Sequence, residues 1–379
     1  MDGRRAFPAA RETANVPVLE MMIGGSASSH GPLPYSRYRV RPEGIAALSI
    51  ARRFAGLMAA LVIAAPAGVS WAAAPHMIGF YVPWDGQSLG SVREHGGGLD
   101  AVIPAWVSVT GPDHKVTVAP DPAGRAAVAA LSPRPQLWLM VQNALQGAWD
   151  GPGAAALLHD KGAASILLHD LEAQAVGAKA SGFVLDFEDL PAGSQPDLLA
   201  FLGSARDLCR RHGWTLAITA PVSNPDWDLA ALGKAADRLI LMAYDEHWQT
   251  GPPGPIASDP WFGAVLRRSM AQAPPGKAIV GIAAYAYDWP SSGPAAVLSI
   301  ADAEALAAKM HAKLERDEAS GAEHFNYVAG DGAHVVWMSD AIAVNRQIAI
   351  ARAAGAQTLA LWRLGTEDPR LWDATSGRR

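Results

Sequence analysis

A chain of 379 residues, half of them hydrophobic and 18% charged, is long enough for one large or two ordinary domains with a substantial core. Its net charge of −5 is unevenly spread, since residues 1–54 carry eight Arg against four acids and leave an acidic main body, which argues against nucleic-acid binding. The single cysteine, Cys209, excludes an internal disulfide, and its place in the helix-like stretch Arg206–Arg211 suits packing better than nucleophilic attack.

Residues 1–45 are rich in Gly, Pro, Ser and Arg and show no hydrophobic periodicity, and residues 1–53 are expected to be a disordered basic segment. Arg52-Arg53 then lead into the apolar run Phe54 to Val69, followed by Ser70-Trp71-Ala72-Ala73-Ala74. A basic start, an apolar centre and small residues at a cleavage position are the parts of a secretory signal. Residues 54–74 are therefore expected to be a signal peptide or an uncleaved membrane anchor, although the run is short for a spanning helix. The protein is expected to be secreted or periplasmic, or held at the inner membrane by residues 54–70. The alternative is that the Ala-rich run continues the disordered segment.

Residues 75–379 read as one barrel domain. Strands are predicted at Met77–Val82, Ala101–Ser108, Gln136–Gln142, Gly182–Phe187, Thr215–Ala220, Arg238–Tyr244, Ala278–Ala283 and Thr358–Trp362. Helices are predicted between and after them at Ser88–His95, Gly124–Leu131, Ala164–Ala180, Pro196–His212, Asp226–Ala235, Pro260–Gln272, Ala301–Glu315 and Ile342–Ala354. Continuously apolar strands alternating with helices imply a parallel sheet covered on both faces. Eight such units fit an α/β fold of the (β/α)8 TIM-barrel type, with an open doubly wound sheet as the alternative. The long stretch after the seventh strand holds Tyr285–Trp289, a helix, and strand-like pieces near Phe325–Val328 and His334–Trp337, and reads as a small insertion.

The fourth strand carries the sharpest chemical signal, Gly182-Phe183-Val184-Leu185-Asp186-Phe187-Glu188-Asp189-Leu190. Side chains alternate along a strand, so Asp186 and Glu188 project one way and Phe183, Leu185 and Phe187 the other. Two neighbouring buried acids repel when ionised, which raises the proton affinity of one of them. One acid to protonate a leaving group and one anion to stabilise positive charge are the equipment of glycoside hydrolysis. Taken alone, the triplet also fits a strand end with two solvated acids.

Polar and aromatic residues recur at the other strand ends, where barrel enzymes keep their chemistry. They include Tyr81 and Trp84 after strand one, Trp106, Gln142-Asn143, Tyr244-Asp245-Glu246 after strand six, Tyr285 and Tyr287, and Trp362-Arg363. Thirteen Trp against seven Tyr and eight Phe is an unusual balance, and aromatic faces stack on the apolar faces of sugar rings. Metal use finds no support: Asp245-Glu246-His247 is too compact for a ligand set, and no cofactor is expected. A Gly-x-Ser-x-Gly elbow is absent, and Gly96-Gly97-Gly98 does not follow a strand and reads as a turn.

Asp186-Phe187-Glu188 resembles the end of the Asp-x-x-Asp-x-Asp-x-Glu signature of glycoside hydrolase family 18, with Ser181 and Val184 at the two upstream acidic positions. Met242-Ala243-Tyr244-Asp245 is similar to that family's Met-x-Tyr-Asp motif, and Trp362 looks like its tryptophan floor. Gly79–Asp85, Met242–Ser258 and Ala360–Pro369 resemble the branch found in bacterial fusions with a polysaccharide deacetylase and a glycosyltransferase, which is related to spore-cortex glycosidases. The fusion partners are absent from this chain. Common chitinases carry Ser-x-Gly-Gly on strand three, where Val141-Gln142-Asn143-Ala144 stands here, and Phe80 sits where many have Tyr.

The resemblance implies retaining, substrate-assisted hydrolysis of N-acetylhexosamine (GlcNAc) linkages. Glu188 would act as acid and base, Asp186 would orient the acetamide, and Tyr244 would hydrogen-bond its carbonyl. Asp245 would support the site and Trp362 would lie beneath the sugar. Asn143 and Arg363 are candidate hydroxyl contacts, Arg363 alternatively pairing with Glu367 or Asp368. Tyr81, Trp84 and Glu246 complete the expected substrate contacts. The expected partner is a GlcNAc-containing polysaccharide or oligosaccharide, with a polysaccharide deacetylase or glycosyltransferase as possible protein partners. The competing reading is a non-catalytic glycan-binding barrel that assists exopolysaccharide synthesis or export.

Overall fold

Runs of Ile, Val, Leu and Phe bounded by Gly, Pro and Asp form short buried strands, and the Ala- and Leu-rich stretches between them coil into helices. The computed structural model describes residues 76–376 apart from Pro112 and Gln146. The segments expected to be disordered (1–53) and to be a signal or anchor (54–74) lie outside these described residues.

Eight strands form the barrel wall: β1 His76–Tyr81, β2 Ala101–Pro104, β3 Gln136–Gln142, β4 Gly182–Asp186, β5 Thr215–Pro221, β6 Arg238–Met242, β7 Ala278–Ala283 and β8 Thr358–Trp362. Each runs parallel to its neighbours, and β8 returns to pair with β1. The ladder Ala101↔Gln136 and Val102↔Leu137 joins β2 to β3, while β1 joins β2. The sheet is therefore a closed ring, a (β/α)8 barrel, and the open-sheet alternative is excluded.

The predicted second strand is broken in two. Pro104 has no N–H for the ladder, and pairing resumes only at Val107–Thr110, which lies parallel to the end of β3 and antiparallel to Lys115–Val118. Two helices escaped the sequence reading. Gly151–His159 hides behind a Gly-Pro-Gly start, yet Asp150 caps it through the Gly153 N–H and Pro152 suits a first turn. Arg370–Ser376 closes the described chain.

The period-2 pattern sorts the core into two layers. Phe183, Leu185 and Phe187 face outward against the helices, where Phe187 meets Phe201. Val184 faces inward with Ile78, Phe80, Ile103, Met140, Ile240 and Ile279. A one-residue slip of β4 would exchange the two sets. The large Phe183, Leu185 and Phe187 would then crowd the barrel interior and Asp186 would turn into the apolar outer layer, so the register is strongly held. Asp186 shares the inward phase of Val184 and is carried into the barrel mouth by that register.

The insertion after β7 is a five-stranded antiparallel sheet built on Ala286–Pro290, which lies between Ala296–Leu298 and Gly332–Met338. Helix Ile300–Lys309 packs Ile300, Ala303 and Ala307 against one face, on Ala286, Phe325, Val336 and Met338. The other face brings Tyr287 and Trp289 to Tyr285 and Ile256, and against this cluster Tyr244 and Trp362 also pack.

Candidate active site

β4 ends at Asp186, which is 4% exposed, and the hydroxyl of Thr219 on β5 donates to its Oδ1 at 2.6 Å. Glu188 stands two residues on, past the last ladder pair, in a turn where Asp189 adopts a left-handed φ of 53°. Glu188 as a residue is partly exposed, while its carboxyl is surrounded by protein. Burial, and then the negative charges of Asp186, Asp245 and Asp189, push the Glu188 carboxyl well above the usual range. Burial raises Asp186 to about 6 against the opposing hydrogen bond from Thr219.

The end of β6 supplies Tyr244 and Asp245. Gly281 on β7 makes room for Tyr244, since a Cβ there would lie 3.1 Å from Tyr244 Cε1 and 2.9 Å from the Leu241 carbonyl oxygen. Burial, followed by the charges of Asp186, Glu188 and Asp245, pushes the Tyr244 hydroxyl far up, so it remains a neutral donor. Asp245 turns the chain with φ 61°, and its Oδ1 accepts from Tyr285 at 2.6 Å and Tyr287 at 3.3 Å. Burial raises its carboxyl to about 6 despite those two bonds. An acid of raised proton affinity, two further carboxyl groups and a phenol donor thus act on one another at one end of the barrel. Such a group can donate a proton and stabilise a developing cation.

Trp362 ends β8 partly exposed, packed on the barrel interior and edge-on to Phe80 at 5.2 Å between ring centres. Trp84 is also partly exposed against the same interior cluster. Arg363 pairs with Asp85, rather than with Glu367 or Asp368, and ties the end of β8 to the helix cap after β1.

Two expected substrate contacts, Tyr81 and Asn143, need correction. Tyr81 is 1% exposed and points outward, where its hydroxyl donates to Asp121 at 2.7 Å, because alternation on β1 turns Phe80 and Val82 inward instead. Asn143 is fully buried, and its amide is engaged with the main chain of Glu188. Glu246 holds its own loop, accepting the Ser258 N–H at 2.7 Å while its N–H donates to the Ile256 carbonyl.

Sequence reasoning missed the support roles of Thr219, Tyr285, Tyr287 and Asp85. A hydroxyl inside the apolar run Leu216–Ala220 was the available sign for Thr219. The two-residue spacing of Tyr285 and Tyr287 was the sign of a shared face. Cys209 is buried among outer-layer side chains, its thiol pushed up to about 12 by burial and Asp237, which leaves it inert.

The family model for Glycosyl hydrolases family 18 matches residues 169–367. The cortical fragment-lytic enzyme of Bacillus anthracis is 32% identical over 151 residues, covering 38% of this chain and 35% of that protein. The chain spans only 46% and 35% of the length of two of the curated relatives it matches. Among solved structures, a chitinase from Chromobacterium violaceum aligns with TM-score 0.71 and 29% identity over 80% of this chain and 98% of its own. The Bacillus cereus spore cortex-lytic enzyme SleL aligns with TM-score 0.71 and 23% identity over 79% of this chain and 73% of its own.

Proposed function

The chain belongs to glycosyl hydrolases family 18, and from that premise we propose that it hydrolyses GlcNAc linkages in a bacterial polysaccharide or glycan. The observation that carries this reading is the raised proton affinity of Glu188 beside Asp186, Tyr244 and Asp245. Relatives named as a chitinase and as a cortical fragment-lytic enzyme support a glycan substrate.

In the proposed reaction Glu188 gives its proton to the glycosidic oxygen as the bond to the anomeric carbon breaks. The acetamido carbonyl oxygen of the same sugar attacks that carbon, so the protein supplies no nucleophile. Asp186 accepts from the acetamido N–H and stabilises the cationic ring, and Tyr244 donates to the acetamido oxygen. Glu188, now a carboxylate, takes a proton from water as the water opens the ring, and the starting configuration returns. Trp362 stacks under the sugar, and Asp245 holds Tyr285 and Tyr287 behind it. The apolar run at residues 54–70 supports a secreted or periplasmic location.

A second reading, a glycan-binding barrel that guides polymer for a deacetylase or glycosyltransferase, draws on Val184, an apolar side chain facing the interior where the family signature has an acid. Product analysis by NMR after incubating the full chain with β-1,4- and β-1,6-linked GlcNAc oligomers separates the two. Shorter β-anomeric products are expected. First-formed α-anomers would overturn the retaining mechanism, and binding without cleavage would favour the guiding barrel.

A further inference from the structure

The ladder between β3 and β4 ends at Gln142↔Asp186, so the sheet itself does not hold Glu188. Asn143, the next residue on β3's side, does. Its Nδ2 donates to the Glu188 carbonyl oxygen at 2.8 Å, and its Oδ1 accepts from the Glu188 N–H at 2.9 Å. One carboxamide that both donates to and accepts from a single residue's main chain restrains that residue in two directions. The following loop tightens the grip. The Asp150 N–H donates to the Asn143 carbonyl at 2.8 Å, and the Asp150 carboxylate accepts from Gly153 at 2.9 Å and Gly111 at 2.7 Å. Gly151 lies so near that a Cβ on it would stand 1.8 Å from the Asp189 carbonyl oxygen.

From these contacts we infer that Asn143 is a positioning residue for Glu188: it continues the work of the sheet ladder beyond the strand end and aims the acid into the cleft. The inference rests on the proposal that Glu188 is the general acid. A direct substrate contact by the side chain is closed, because Asn143 has no exposed surface and both its amide atoms are engaged.

The groups that act on Glu188 are Asp186 on its own strand, Asp189 in its own turn, Tyr244 and Asp245 after β6, and Tyr287 in the insertion. Releasing the clamp lets the turn move toward water and away from these acids. The proton affinity of Glu188 then falls toward that of an ordinary glutamate.

The test uses the full chain with Asn143→Ala and Asn143→Asp. For Asn143→Ala, kcat is expected to fall about 10²-fold, the cost of roughly 1 Å of misplacement at a reacting group. KM should stay within about threefold, as for a loss felt only in the transition state. The basic limb of its pH–rate profile should move to lower pH. In Asn143→Asp a neutral carboxyl offers the same donor and acceptor, so the rate should approach wild type in acid and fall as that carboxyl ionises. A raised KM at unchanged kcat, or an unmoved pH limb in Asn143→Ala, would overturn the inference. If thermal melting shows Asn143→Ala unfolded, the isosteric Asn143→Asp carries the test. A ¹³C NMR titration of Glu188, assigned by its loss in Glu188→Gln, reads the clamp without turnover. It should shift to lower pH in Asn143→Ala, and an identical titration would count against the clamp. Failure of the wild type to cleave any GlcNAc oligomer would sink the proposed function, while the titration would still decide the clamp.

Discussion

The barrel mouth and the collar around helix Ala341–Ala353 both bury carboxylates, but they surround them differently. Asp186 and Asp368 are 4% and 2% exposed. Asp186 has the hydroxyl of Thr219, and burial raises it to about 6. Burial would raise Asp368 too, but bonds from the Arg370 guanidinium and from the Ala341 and Arg370 N–H groups outweigh it and hold that carboxyl below its ordinary value. Next to it, Asp340 caps the helix and receives two bonds from Arg316, at 2.8 and 2.7 Å. Burial pushes both acids up, and what is set against it differs: neutral hydroxyls at the barrel mouth, a guanidinium and main-chain N–H groups in the collar.

The contrast can be pressed hardest at Glu188. Glu188→Gln removes the transferable proton and keeps the shape, so turnover should fall by about 10²–10⁴ while oligosaccharide binding by calorimetry survives. Unchanged turnover would sink the acid's assignment. In the collar, Arg316→Ala strands Asp340 without its cation and should cost about 3 kcal/mol in urea unfolding. A neutral result would mean that the collar's charges are as dispensable as exposed ones.

The smallest effect has the opposite sign. Asp186 holds its proton more tightly folded, at about 6, than an unfolded aspartate does near 3.8. The stability this confers is fully present below the lower value and is lost as pH rises through the higher one. Asp186→Asn never ionises, so it should match the parent's melting temperature near pH 4 and exceed it by about 2–4 °C near pH 8. Equal destabilisation at both values would show that Asp186 is structural in the way Asp340 is.

Much of the barrel was legible because parallel strands buried on both faces read as unbroken apolar runs, as Ala278–Ala283 and Leu239–Leu241 do. The pairing of Asp186 with Glu188 followed from a two-residue spacing, and Tyr244 and Trp362 from strand ends and family motifs. Tyr81 was misjudged because Phe80 and Tyr81 are both aromatic, and strand phase decides which one enters the barrel. Asn143 was misjudged because its partner lies 45 residues away. Helix Gly151–His159 was hidden by glycines that local propensity counts against a helix, although close approach to Asp189 demands one of them.

The sequence by itself determined the alternating strand and helix units, the shared face of Asp186 and Glu188 and the candidate acid, because these depend on short-range periodicity and on residue types at strand ends. Tertiary structure alone decided that burial raises the proton affinity of these acids and which polar groups support them. Proton affinity is set by burial and by charges within a few ångströms. For Glu188 those come from β4, from the end of β6 and from its own turn, while Asn143 of β3 holds its main chain. Asp186 and Asp189 are its near neighbours in the chain, but Asp245 and Asn143 lie tens of residues away and come beside it only through the folded sheet.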